Sequence, residues 1–272
     1  MRKAQISTLL VALAACCFGP LNEAAALSLG ENITIYDEDG YLGSGQGGED
    51  AETEPGMQNR QTWDMEAFTW DALTQTLTLI GGYDFLSEEG YRDWAPGDLF
   101  LSPDSPIFGS PDNTGAGSRQ DGDPSPTTDL FGYNHVLDFQ YNQGVLTGFD
   151  IIDLTGAETE LIWFSANEES NPWRYSSGGE LLYDDVAVVS GTLTAAQIAE
   201  YGLLHDDSSD THYFASFDLS NLYNSGDEFY SHYTMECGND GIMGHYPVPE
   251  PATVMLLGMG ISGLALRRKM SA

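Results

Sequence analysis

The stretch Leu73-Thr74-Gln75-Thr76-Leu77-Thr78-Leu79-Ile80 alternates apolar and polar side chains, the period of two expected of a strand with one buried face. The same alternation, or a short apolar run rich in strand formers, recurs at 32–36, 62–70, 98–101, 136–139, 145–152, 160–165, 181–189, 212–219 and 228–236. Gly, Pro, Asp and Asn fill the gaps and supply turn chemistry. Helical patterning is confined to 194–203, where Thr194 is placed as the N-cap ahead of Ala195-Ala196-Gln197-Ile198-Ala199-Glu200. Many short strands with one short helix predict an all-β fold, a single β-sandwich or jelly roll. Segments 37–60 and 103–126, rich in Gly, Asp, Pro and Ser, break the rhythm and are expected to be long loops. No repeat of fixed period is present, which argues against a solenoid or propeller.

Both ends depart from this pattern. Met1-Arg2-Lys3, an apolar stretch at 6–15 and Ala24-Ala25-Ala26 have the n-region, h-region and A-x-A site of a secretory signal peptide, assigning residues 1–26 to export. Leu13-Ala14-Ala15-Cys16 also fits a lipoprotein cleavage box, an alternative that leaves a lipid on Cys16. The expected exported domain is 27–246, a length that one all-β domain commonly reaches. At 247–272 stand three parts in fixed order: Val248-Pro249-Glu250-Pro251, an uncharged run from Ala252 through Leu256, Leu257, Gly260 and Leu264 to Leu266, and the basic cluster Arg267-Arg268-Lys269. As a helix the 15-residue run reaches about 22 Å, short of a hydrocarbon core of about 30 Å. The cations stay on the cytoplasmic side, so the body lies outside the inner membrane. Pro249 and Pro251 lack amide protons and stop the helix from extending back, which holds the signature extended at the membrane surface.

This tail resembles the PEP-CTERM sorting signal of Gram-negative bacteria, part for part from Val248 to Lys269. The resemblance implies that an exosortase, a membrane-embedded cysteine transpeptidase, cleaves at Pro249-Glu250-Pro251 and delivers the protein to the cell surface or medium. An ordinary single-pass anchor is the alternative, and it too places the body outside. Trp63-Asp64-Met65-Glu66-Ala67-Phe68, Gly81-Gly82-Tyr83-Asp84-Phe85, Gly97-Asp98-Leu99-Phe100 and His232-Tyr233-Thr234-Met235-Glu236-Cys237-Gly238-Asn239-Asp240 are similar to motifs of exosortase-dependent surface proteins. Their body domains have no assigned activity, so this similarity implies a shared β domain and no catalytic residue.

Charge narrows the partners. Without its two ends the chain keeps all but Glu23 and Glu250 of its 42 acids, against Arg60, Arg92, Arg119 and Arg174 and no lysine. Nucleic acid and anionic membrane are excluded as partners, because binding to either rests on Lys and Arg neutralising phosphates. The acids could instead hold structural calcium, which takes several oxygen ligands in a Gly-containing turn. The candidate ligands are Asp37 and Asp39 of Asp37-Glu38-Asp39-Gly40, and Glu49, Asp50 and Glu52, although no EF-hand pattern is present.

No catalytic motif stands out. Cys237 is left alone once Cys16 and Cys17 depart with the signal peptide, so no internal disulfide is expected. His135, His205, His212, His232 and His245 lack zinc-site spacing. Asp64, Glu66, Asp84 and Asp98 could supply a glycosidase pair, with Asp64 and Glu66 on one strand face, and Trp63, Trp70, Trp94, Trp163 and Trp173 could stack on sugars or fill the core. The expected function is therefore that of a non-enzymatic surface or matrix protein associated with biofilm, exopolysaccharide or envelope glycans. The alternatives are a calcium-assisted carbohydrate-binding module, marked by a surface row of aromatics, and a glycan-acting hydrolase, marked by a cleft with two converging carboxylates, one of raised pKa.

Overall fold

The computed structural model describes residues 29–35, 61–106, 124–125, 131–162, 170–203 and 211–247. In chain order the strands are β1 (Glu31–Asn32), β2 (Met65–Asp71), β3 (Thr76–Gly81), β4 (Leu99–Ser102), β5 (Pro124–Ser125), β6 (His135–Asn142), β7 (Val145–Asp153), β8 (Glu158–Glu160), β9 (Arg174–Ser177), β10 (Glu180–Ala187) and β11 (Val189–Thr192). Helix α1 (Ala195–Tyr201) follows, and then β12 (Tyr213–Asp218), β13 (Phe229–Thr234) and β14 (Gly241–Tyr246). One sheet has the order β1-β2-β3-β12-β11, a second β10-β7-β6-β4-β13-β14, and a small third β5-β8-β9, with every named pairing antiparallel. The expected β-sandwich with one short helix is what forms.

Alternation decides which residues meet between the layers. Leu77 and Leu79 of β3 point into the interlayer core with Phe68 and Trp70 of β2 and Phe217 of β12. The six-stranded sheet answers with Leu99, Leu101, Leu137, Phe139, Phe149, Ile151 and Phe229. Aromatic contacts bridge the gap: Trp70 meets Phe229 edge-on at 4.8 Å, and Phe217 lies 5.2 Å from Phe139 and 5.3 Å from Phe149 between ring centroids.

In β2, β3 and β12 the opposite phase is buried as well. Ala67, Ile80 and Phe214 turn outward and are covered by Leu193 and by Ile198 and Tyr201 of α1. Thr194 begins that helix with a capping box: its hydroxyl accepts from the Gln197 N–H, and the Gln197 side chain accepts from the Thr194 N–H at 3.0 Å. Phe100, Val136 and Ile152 form a further cluster with Tyr133, Leu154 and Leu161 on the outer face of the six-stranded sheet.

Several strand boundaries differ from the pattern-based expectation, two of them for a clear physical reason. The strand expected at 73–80 begins only at Thr76, because Asp71 Oδ1 accepts from the Leu73 N–H at 2.9 Å and Gln75 turns the chain with φ +56°. Leu73, 95 % exposed, sits on that turn. The single strand expected at 181–189 divides into β10 and β11, which belong to different sheets, so the chain crosses from one layer to the other at Val188.

Candidate functional site

Gly97 has no side chain at a point where a Cβ would lie 2.1 Å from the Thr234 carbonyl oxygen and 2.3 Å from that of Trp173. Glycine thus lets the chain pass between β13 and the residues leading into β9, and delivers Asp98 into the interior. The Asp98 carboxyl is almost fully buried, and both its oxygens are engaged: Oδ1 accepts from the Phe139 N–H at 3.0 Å and Oδ2 from the Tyr175 N–H at 2.9 Å. One side chain therefore ties β4 to β6 and to β9.

Around it opens a polar cleft of about 430 Å³, lined by Glu88, Asp98, Asp138, Gln140, Tyr141 and Arg174 among others. Pairing of Leu99 with Leu137 brings Asp138 beside Asp98. The Gln140 amide donates to Asp138 Oδ2 at 3.1 Å and to Asp150 Oδ2 at 3.4 Å. Arg174 holds its guanidinium carbon 5.7 Å from the centre of the Trp173 ring, and it makes no ion pair with any described residue. Tyr141 turns its hydroxyl away to the Phe85 carbonyl at 2.9 Å.

Burial, and then repulsion from Asp138, push Asp98 up to about 8. Burial and the charge of Asp150 likewise raise Asp138, with Arg174 and the Gln140 amide pulling the other way. The pair therefore retains a proton near neutral pH. A carboxyl raised from an unfolded value of about 3.9 gives stability that is complete below that value and is lost as pH rises through about 8. Between pH 6.5 and 8 the folded protein is therefore expected to lose stability by up to about 1.4 kcal/mol per pH unit. Urea unfolding of wild type and Asp98→Asn across that window checks this; the slope should flatten in the variant, which keeps only the raised Asp138, and an unchanged slope would contradict the assignment.

The other candidates are spread through the fold. Glu66 is the extra residue of a bulge between Met65 and Ala67, and its buried carboxylate meets His212 Nδ1 at 2.5 Å. Asp64, Glu66 and Asp84 do not line the cleft; of the four acids considered for a glycosidase pair, Asp98 alone does. Trp63, Trp70 and Trp173 are buried and Trp94 is half-buried, so these four form no exposed row; Trp163 lies outside the described residues. His232 is buried, its Nε2 within 3.0 Å of the Ser170 and Pro172 carbonyl oxygens, and burial lowers it to about 4. His245 pairs with Glu228 at 2.9 Å, His135 is half-buried, and His205 lies outside the described residues. The Cys237 thiol is buried and pushed up to about 12, an unreactive environment.

Asp138, Gln140 and Arg174 carried no motif in the sequence. The usable signal was alternation: Asp138 and Gln140 are polar positions two apart on a strand of buried residues. The calcium candidates Asp37, Asp39, Glu49, Asp50 and Glu52 lie outside the described residues. Among the described residues no group of acids, His or Cys is arranged to hold a metal ion.

The second functional element begins where the body stops. Strand β14 ends at Tyr246, at an edge of the six-stranded sheet, and the tail follows directly. A family model for the PEP-CTERM protein-sorting motif matches residues 247–269. The chain carries a PEP-CTERM sorting signal. That signal marks an exported protein, held transiently in the membrane and then processed by an exosortase. The match takes in Val248 to Pro251, the apolar run and the basic cluster, in the order read from the sequence. No helix among the described residues is long and apolar enough to cross a membrane. Comparison with curated proteins and with solved structures finds no match.

Proposed function

We propose that the sorted body is a non-enzymatic surface or matrix protein that associates with exopolysaccharide or other envelope glycans. The observation that carries this reading is the commitment of Asp98: the most buried carboxyl of the cleft spends both oxygens on backbone N–H groups. A general acid must present its proton to a substrate within about 2.6–3.2 Å, whereas Asp98 holds strands together. The sorting signal adds the location, and the excess of acids keeps such a protein soluble at the surface.

A glycan-acting hydrolase is the second reading, favoured by the raised Asp138 and Asp98 facing one cleft. One experiment separates the two. The mature protein is mixed with exopolysaccharide of its native host, sedimented, and assayed for new reducing ends. Co-sedimentation without new ends is expected. New ends that disappear in Asp138→Asn would establish the hydrolase, and absence of co-sedimentation would remove the glycan association.

A further inference from the structure

The cleft beside Asp98 has the chemistry of a small, neutral, hydroxyl-rich ligand. Its volume, about 430 Å³, falls in the range of about 300–1,000 Å³ typical of ligand sites. Its lining is mostly polar, which disfavours an apolar guest. Donors and acceptors stand together: Arg174 offers a planar fork of N–H groups, and Asp138 and Glu88 offer carboxylate oxygens. Each sugar hydroxyl is at once donor and acceptor, and a vicinal pair matches the spacing of a guanidinium or carboxylate edge.

Arg174 is the informative residue. It is exposed and stands near two acids, yet among the described residues it pairs with no carboxylate and rests on the Trp173 ring instead. Charged guests fit poorly. An anion would meet Glu88 and Asp138 on a chain with formal charge −33, and a cation would meet Arg174 where no metal-holding group exists among the described residues.

We infer that this cleft binds a single neutral sugar ring, with Arg174 and the carboxylates of Asp138 and Glu88 grasping adjacent hydroxyls. The inference rests on the glycan-associating reading of the body and names its site and ligand class.

The test uses the full chain in detergent, with methyl glycosides of glucose, galactose and mannose as probes. Glucuronate and calcium chloride serve as charged comparators. Saturation-transfer NMR and calorimetry should detect at least one neutral glycoside. Arg174→Ala should weaken its binding at least tenfold with an unchanged thermal midpoint, and Arg174→Lys should recover only part of it. Absence of binding by all three glycosides, tighter binding of glucuronate or calcium, or an Arg174→Ala protein that binds like wild type would each overturn the inference. If Arg174→Ala still sediments with exopolysaccharide as wild type does, the glycan association stands and the cleft is not its site.

Discussion

Replacing Pro249, Glu250 and Pro251 together with alanine should leave nearly all of the protein in the inner membrane at its full C-terminal length. Two effects act in the same direction. The signature that the exosortase reads is removed. In addition, the prolines that bar a helix from continuing upstream of the apolar run are gone, so the helix-compatible sequence lengthens from 252–266 to 248–266. At about 1.5 Å per residue a helix over that stretch would reach about 28 Å, close to a full span, and Arg267, Arg268 and Lys269 remain to set its orientation. Membrane fractionation with intact mass measurement reads the result. Release at wild-type level with wild-type mass would show that the signature is not what is processed.

Trp70→Ala should cost about 3–5 kcal/mol, a large share of the roughly 5–15 kcal/mol that keeps a domain folded. The indole is 1 % exposed and reaches from β2 across the interlayer to Phe229 of β13 and Tyr246 of β14, at 4.8 and 5.8 Å. Truncation leaves a cavity where the two sheets meet, and neither sheet can close it without losing register with its neighbours. Leu73→Ala, on an exposed turn, should change stability by less than about 0.5 kcal/mol. Denaturant midpoints of the two variants decide the matter. A small loss in Trp70→Ala would mean that the indole is not part of the core and would reopen a sugar-stacking role.

The layered fold was legible wherever alternation was clean. In β3 the phases Leu77, Leu79 and Thr78, Ile80 separate onto two faces, and Thr194 with Gln197 announced the helix. Strand β14 was not legible, because Gly241 and Gly244 interrupt its apolar run. At Gly244 the missing side chain is what the packing needs, since a Cβ would lie 2.4 Å from the Ser231 hydroxyl and 3.0 Å from the Phe68 Cβ. The break at Val188 was equally hidden, since composition does not say to which sheet a strand attaches.

The two candidate sites differ in legibility for a physical reason. The sorting tail acts through local order along the chain, signature then apolar run then cations, so sequence contains all of it. The cleft depends on pairing between distant strands: β4 with β6 brings Asp98 to Asp138, and the approach of β9 adds Arg174. The motif residues of the body proved to be polar ties. Asp98 joins three strands, Asp240 accepts from the Met65 N–H at 2.5 Å, and His232 reaches the Ser170 and Pro172 carbonyls. Such residues look functional in a sequence because a polar or titratable side chain set among apolar strand positions reads the same whether it ties strands together or takes part in chemistry.

Two-ended processing of an exported β-sandwich is read off directly by the intact mass of the mature protein from the envelope or medium of its native host. A chain that starts near Leu27 and ends near Pro249-Glu250-Pro251, without the apolar run and the basic cluster, is expected. A mass that retains Arg267, Arg268 and Lys269 would contradict it and identify a plain membrane anchor, and a lipid on Cys16 would mean that the N-terminus, not the sorting tail, fixes the protein in place.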